Sequence, residues 1–219
     1  RTVCNFMKQE LEAIEIKLKK PKTYDPGIAL IGCNAITNAH LGAYRDAGYR
    51  VLAFCDLDEA MARDKRDRFY PDAVITTQYD DLLQRDDIEI FDIATMPQVR
   101  APLMEKAILA GKHVLSQKPF VVDIETGQQL IELANKHKRK IAVNQNARFA
   151  TFWLFIQEVI ERGILGEITQ IDFGNDWEYK WLKNRTDLKG LEDSILEDYA
   201  IHWFDLVATW LGERKPSSM

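Results

Sequence analysis

The sequence predicts an α/β fold built on a doubly wound parallel sheet. Three observations carry that prediction: short apolar runs recur along the chain, helical stretches separate them, and glycine or polar turns mark each change. The first run, Ile28–Ile31 between Gly27 and Gly32, leads through a turn to a helical stretch at 39–47. A second run, 49–55, ends in Asp56. Two apolar runs around a helix form a βαβ unit, whose crossover is right-handed by strong default. The alternation then repeats: helix 59–70, strand 73–75, helix 79–85, strand 90–94, helix 101–110, strand 113–115, helix 124–136 and strand 141–143.

The flanks read differently. Residues 5–20 carry apolar residues at helical spacing, and a proline-bounded linker follows, so 1–26 is expected to be an N-terminal extension. The region 27–147 is the expected nucleotide-binding domain. From 148 to 219 a second α+β domain is expected to begin, with an aromatic helix at 151–162, a strand at 168–173, an excursion at 175–193 and a helix at 194–211. Its sheet would be mainly antiparallel. One strand, the excursion and the helix at 194–211 are too little to close a second core, so truncation within the second domain is expected, and the start on Arg1 suggests a fragment.

Composition removes several classes of partner. A net charge of -5 gives no basic field for nucleic acid or an anionic membrane. No apolar run approaches the length of a membrane span. Cys4, Cys33 and Cys55 have neither a disulfide framework nor metal-ligand spacing, which fits a cytoplasmic protein without a metal.

The turn after the first run reads Gly32-Cys33-Asn34-Ala35-Ile36-Thr37, where the dinucleotide fingerprint has glycine at the first, third and sixth positions. Only the first is present. Gly32 suits the tight turn, and the helix that follows offers its positive end to a pyrophosphate, with Asn34, Ala35 and Ile36 beside it. Asn34 would stand where backbone approaches phosphate, since asparagine tolerates left-handed backbone. Asp56, at the end of the second strand, would accept hydrogen bonds from ribose hydroxyls and repel a 2'-phosphate, favouring NAD over NADP. The alternative is that Asp56 only caps the next helix.

Three further segments bear chemistry. Gln117-Lys118-Pro119 lies just past a strand end, Ile93-Ala94-Thr95 precedes it, and Asp198-Tyr-Ala-Ile-His202-Trp-Phe-Asp205 follows on a helix. Together they resemble the glucose-fructose oxidoreductase and inositol dehydrogenase (Gfo/Idh/MocA) family over roughly residues 27–212. That family typically shows Glu-Lys-Pro where this chain has Gln117-Lys118-Pro119, and an aspartate four residues before a histidine, here Asp198 and His202. The resemblance implies Rossmann cofactor contacts at Thr95, Gln117 and Lys118, with Lys118 also at the reacting hydroxyl. It further implies His202 as acid/base, Asp198 orienting a sugar or polyol substrate, and a homo-oligomer at full length. A histidine titrating near neutrality suits removal of a hydroxyl proton, and a lysine suits a developing alkoxide.

Each residue also has a structural reading: Lys118 as a solvated loop lysine, Asp198 as a surface charge, His202 as a core histidine. Arg100 replaces a frequent family histidine, and its fork could hold a carboxylate or phosphate. Trp177, in the excursion Trp177-Glu178-Tyr179-Lys180-Trp181, resembles the family's sugar-pocket lining and equally suits a subunit contact. His40 and His113 read as structural, and Asp205 as a partner of the imidazole or of a neighbouring loop. A different class remains open: a nucleotide-binding protein, or an inactive fragment, that keeps the fold without turnover.

Overall fold

The computed structural model describes residues 8–16, 21, 23–174 and 195–212, which fall into two compact units: 21 and 23–144 in one, and 8–16, 145–174 and 195–212 in the other. The first unit is a six-stranded sheet of β1 (Gly27–Ile31), β2 (Arg50–Cys55), β3 (Val74–Thr76), β4 (Ile90–Ile93), β5 (His113–Gln117) and β6 (Ile141–Asn144). Every pairing is parallel, and the order is β3-β2-β1-β4-β5-β6. Five helices connect the strands: α1 (Thr37–Ala47), α2 (Glu59–Phe69), α3 (Tyr79–Leu83), α4 (Pro97–Leu109) and α5 (Ile124–Lys136).

Strand periodicity divides β1 between two apolar layers. Ile28 and Leu30 pack with Leu41 of α1 and Ala62 of α2, whereas Ala29 and Ile31 pack with Met104, Ala107 and Ile108 of α4 and Leu130 of α5. All five residues of β1 are buried, as a strand covered on both faces requires. Because every strand runs the same way, all the carboxyl ends share one edge, and the strand order reverses between β1 and β4. Open α/β sheets hold ligands at such a point.

The boundaries differ from expectation where local chemistry extends an element. Helix α4 begins at Pro97 rather than Ala101, since proline is favourable in a helix's first turn, where its missing N–H is no loss. Strand β5 runs past Leu115 to Gln117, because Ser116 pairs with Val143 and Gln117 with Asn144. Helix α2 is capped by Asp58, whose carboxylate accepts the Ala60 N–H at 2.9 Å. The cap reading of Asp56 is therefore replaced by its neighbour.

The second unit contains a 3-10 turn (Asn146–Phe149), α6 (Thr151–Glu161), a π-helical segment (Ile195–Ala200) and α7 (Ile201–Leu211). Aromatic rings hold it together: Phe173 stacks on Trp203 at 6.1 Å and on Trp210 at 5.8 Å, and Trp153 packs across Trp210 at 5.6 Å. The expected strand at 168–173 is irregular instead, and no strand of the expected antiparallel sheet occurs among the described residues. A strand needs a hydrogen-bonded neighbour, and none lies within those residues to supply one. Of the expected N-terminal helix, residues 8–12 are helical and 13–16 are not.

A Cβ added at Gly27 would lie 2.0 Å from the Asp87 carbonyl oxygen and 2.6 Å from a Leu52 methyl, whereas one at Gly42 would meet nothing within 4 Å. Gly27→Ala should lower the unfolding free energy by roughly 2–4 kcal/mol in urea titrations. Gly42→Ala, at a half-buried position inside α1, should raise it by about 0.5–1 kcal/mol.

Candidate functional site

The carboxyl edge of the sheet is built first by the β1–α1 turn. Gly32 has φ +86, and a Cβ there would lie 3.0 Å from the Thr95 backbone nitrogen and 3.0 Å from its methyl group. Both the backbone conformation and the close approach of the β4 exit therefore select glycine. Its N–H donates to the Cys55 carbonyl at 2.8 Å, which ties the turn to the end of β2.

Asn34 contributes in a way its backbone tolerance did not foretell. Its Nδ2 donates to the Ala94 carbonyl at 2.6 Å, and its Oδ1 accepts the Ile36 N–H at 3.2 Å. The residue is not in the left-handed region, so that part of the expectation is corrected. A side-chain bridge across the turn is what asparagine provides. Ala35 and Ile36 are exposed at the mouth. Helix α1 starts with no side-chain cap and no acidic residue in its first turn, so its positive end carries no counter-charge of its own.

Asp56 closes the opposite side of the turn. One carboxylate oxygen accepts the Cys33 N–H at 2.6 Å and the other accepts the Asp58 N–H at 3.0 Å. Each oxygen keeps further lone-pair capacity for a donor, and the side chain is half-buried. Burial, with Asp56 nearby, pushes the Cys33 thiol up to about 12. Burial likewise raises Cys55 to about 11. Neither sulfur is a thiolate near neutrality, so these two cysteines are packing residues.

Thr95 and Gln117-Lys118 lie at the ends of β4 and β5 on the same edge. The Thr95 hydroxyl oxygen is buried and has no hydrogen-bond partner among the described residues. Lys118 is half-buried, and its backbone N–H donates to Oε1 of Gln117 at 2.7 Å. The first unit thus brings together Gly32, Asn34, Ala35, Ile36, Asp56, Thr95, Gln117 and Lys118 at one edge.

Arg100 stands differently from its expected role. It is 1% exposed, and its two terminal nitrogens donate to the carbonyls of Gln117, Pro119 and Thr95. Both terminal nitrogens are spent on backbone oxygens and the buried Nε has no partner among the described residues, so Arg100 is a strut between the β4 and β5 exits rather than an anion clamp. Burial lowers its pKa to about 10, a shift that the charge of Asp92 partly offsets. Its signal in the sequence was a cation in the first turns of a helix whose neighbours Val99 and Ala101 are apolar.

In the second unit, Asp198 lies in the π-helical segment and His202 in the first turn of α7, both partly buried. The two therefore occupy successive turns of unequal width, rather than the single regular α-helix that the spacing suggested. Asp205 does not serve the imidazole. It forms a bidentate ion pair with Arg148, whose Nε lies 2.7 Å from one carboxylate oxygen. His113 accepts the Lys140 N–H at 2.9 Å and is structural, as expected. Trp177 lies outside the described residues. No helix among the described residues is long and apolar enough to cross a membrane, and no cluster of His, Cys, Asp or Glu among them could hold a metal.

Comparison with known proteins agrees with this architecture. The profile of the Gfo/Idh/MocA oxidoreductase family, described by its NAD-binding Rossmann fold, matches residues 27–145. An inositol 2-dehydrogenase of Gluconacetobacter diazotrophicus is 27% identical over 148 residues, covering 66% of this chain and 44% of that protein. A scyllo-inositol dehydrogenase of Lactobacillus casei, solved with NAD(H) and scyllo-inositol, superposes with a TM-score of 0.72 at 20% identity, over 85% of this chain and 56% of that one. A 3-ketoreductase of Actinomadura kijaniata, solved with NADP, gives 0.59 at 24% identity, over 66% and 46%. The chain spans between about a third and a half of the length of such curated relatives. The matched residues hold the whole β1–β6 sheet and every edge residue named above, and by that match the chain belongs to the Gfo/Idh/MocA family of oxidoreductases.

Proposed function

We propose that this protein acts as an NAD-dependent dehydrogenase on a carbinol carbon of a sugar, cyclitol or related polyol. The observation that carries the reading is the sharing of one sheet edge by the Gly32 turn, Asp56 and Lys118. The residues there fit a dinucleotide. A Cβ would fill the space over Gly32, the open end of α1 suits a pyrophosphate, and the buried Thr95 hydroxyl lacks a partner among the described residues. Bound there, the nicotinamide supplies the hydride acceptor.

The remaining chemistry falls to side chains. A hydride leaves a carbinol carbon only as the hydroxyl proton is taken, and His202 is assigned that proton, held on an imidazole nitrogen. The Lys118 ammonium steadies the negative charge that develops on the oxygen, and Asp198 orients the hydroxyl groups. The relative that is an inositol dehydrogenase favours a cyclitol among the candidates. The solved neighbours hold NAD(H) in one case and NADP in another, so the fold alone does not choose between them. Asp56 supplies the preference, because its charge repels a 2'-phosphate.

Two measurements test the reading. A panel of inositols, sugars and sugar acids should give NADH formation with at least one member. His202→Ala should then keep NAD binding and lose turnover by a factor on the order of a hundred or more. Near-normal turnover would remove His202, and cofactor binding without any turnover would favour a binding protein.

The second concerns cofactor choice. Leu57 is 94% exposed, so it tolerates a charged side chain. Asp56→Ser combined with Leu57→Arg should move the ratio of NADPH to NADH affinity toward NADPH by roughly tenfold or more, the worth of about 1.4 kcal/mol. An unchanged ratio would count against Asp56 as the ribose ligand.

A further inference from the structure

The carboxamide of Gln117 is held at both ends. Its Oε1 accepts the Lys118 N–H at 2.7 Å, and its Nε2 lies 3.3 Å from Nε2 of His40. A backbone N–H can only donate, so the amide atom facing it must be the oxygen, and the NH₂ group is what His40 meets. Nδ2 of Asn144 reaches the same imidazole nitrogen at 2.9 Å. Nε2 of His40 is therefore an acceptor. The ring proton sits on Nδ1, 2.8 Å from Oδ2 of Asp92, which also accepts the Tyr44 hydroxyl at 2.8 Å.

These bonds share one direction. Asp92 is 0% exposed in the middle of β4 and, as a carboxylate, can only accept, so it fixes the imidazole tautomer. The tautomer presents a bare nitrogen to Gln117, and Gln117 must turn its oxygen toward Lys118. Rotating the carboxamide by half a turn would set its NH₂ against the Lys118 N–H, leaving two donors facing each other in a buried place. The arrangement joins the centre of the sheet to the backbone of the residue assigned to the reacting oxygen.

We propose that His40 is a positioning residue for Lys118, acting through its neutral Nδ1–H tautomer and the Gln117 carboxamide. This rests on the reading of Lys118 as a residue at the reacting oxygen. It also gives a reason for Gln117 where the family typically has glutamate. A glutamate has no donor, and would face the bare nitrogen of His40 with a lone pair unless that nitrogen carried a proton. Glutamine at 117 and a singly protonated His40 belong together; glutamate would need an imidazolium between two carboxylates.

The test is long-range ¹⁵N–¹H correlation on the imidazole nitrogens of the labelled chain at neutral pH, with amide exchange measured at Lys118. In the native protein Nδ1 of His40 should carry the proton and Nε2 should be bare. In Gln117→Glu both nitrogens should be protonated at the same pH. In His40→Leu, exchange at the Lys118 amide should quicken by about tenfold or more while the Leu30 amide of β1 keeps its protection. A proton on Nε2 in the native protein overturns the proposal, even if the leucine variant fails to fold. So does an unchanged Lys118 exchange rate in a folded His40→Leu. Lys118→Ala with unaltered turnover would remove the catalytic reading of Lys118 and leave these His40 outcomes standing, so the two failures are distinguishable.

Discussion

The parallel register of the sheet is the constraint on which the rest of the first unit depends. With all six strands running one way, the ends of β1, β2, β4 and β5 open on the same side. Gly32, Asp56, Thr95 and Lys118 are far apart in sequence, yet each follows the last residue of a strand or stands within two of it. Register then sets their spacing: Ile31 is level with Cys55 on one side and Ile93 on the other, and Ile93 with Ser116. A shift of one residue in any pairing would turn that strand's core residues to the wrong face. The edge and the core are thus specified together.

Buried polar groups give the edge its rigidity. Arg100 is nearly inaccessible, and three backbone carbonyls at the β4 and β5 exits receive its protons. A buried guanidinium loses much hydration, and hydrogen bonds to fixed carbonyls offset part of that loss. Asp92 lies on the α1 face of the sheet, bonded to His40 and Tyr44, and its charge also favours the cation. Asp92 and Arg100 act on the same short stretch, Gln117–Pro119, from two directions: one through His40 and the Gln117 side chain, the other through backbone oxygens. A loop at the end of a strand would otherwise be free to move.

Much of this was legible in the sequence because its signals are local. The alternation of apolar runs and helical stretches foretold a parallel doubly wound sheet, and Gly32 stood where that sheet needs a tight turn. What escaped were features that depend on partners distant in the chain. Asn34 read as a tolerated substitute for glycine, because its bond to Ala94 crosses from β1 to β4. Arg100 read as an anion clamp, since sequence gives its charge but not the three carbonyls that surround it. Asp92 sits in the apolar run Ile-Phe-Asp-Ile, where a lone carboxylate marks a buried network, and His40 is the partner that sequence alone could not assign. The strand expected at 168–173 failed for a related reason: a strand is defined by its neighbour.

The central claim is that the carboxyl edge of this sheet holds a nicotinamide dinucleotide, and amide shift mapping with NAD⁺ on the ¹⁵N-labelled chain tests it most directly. The account predicts the largest changes at Gly32 to Ile36, at Asp56, at Thr95 and at Lys118, with little change at Glu89 and His113 on the opposite edge. No change on titration, or changes confined to that opposite edge, would contradict it.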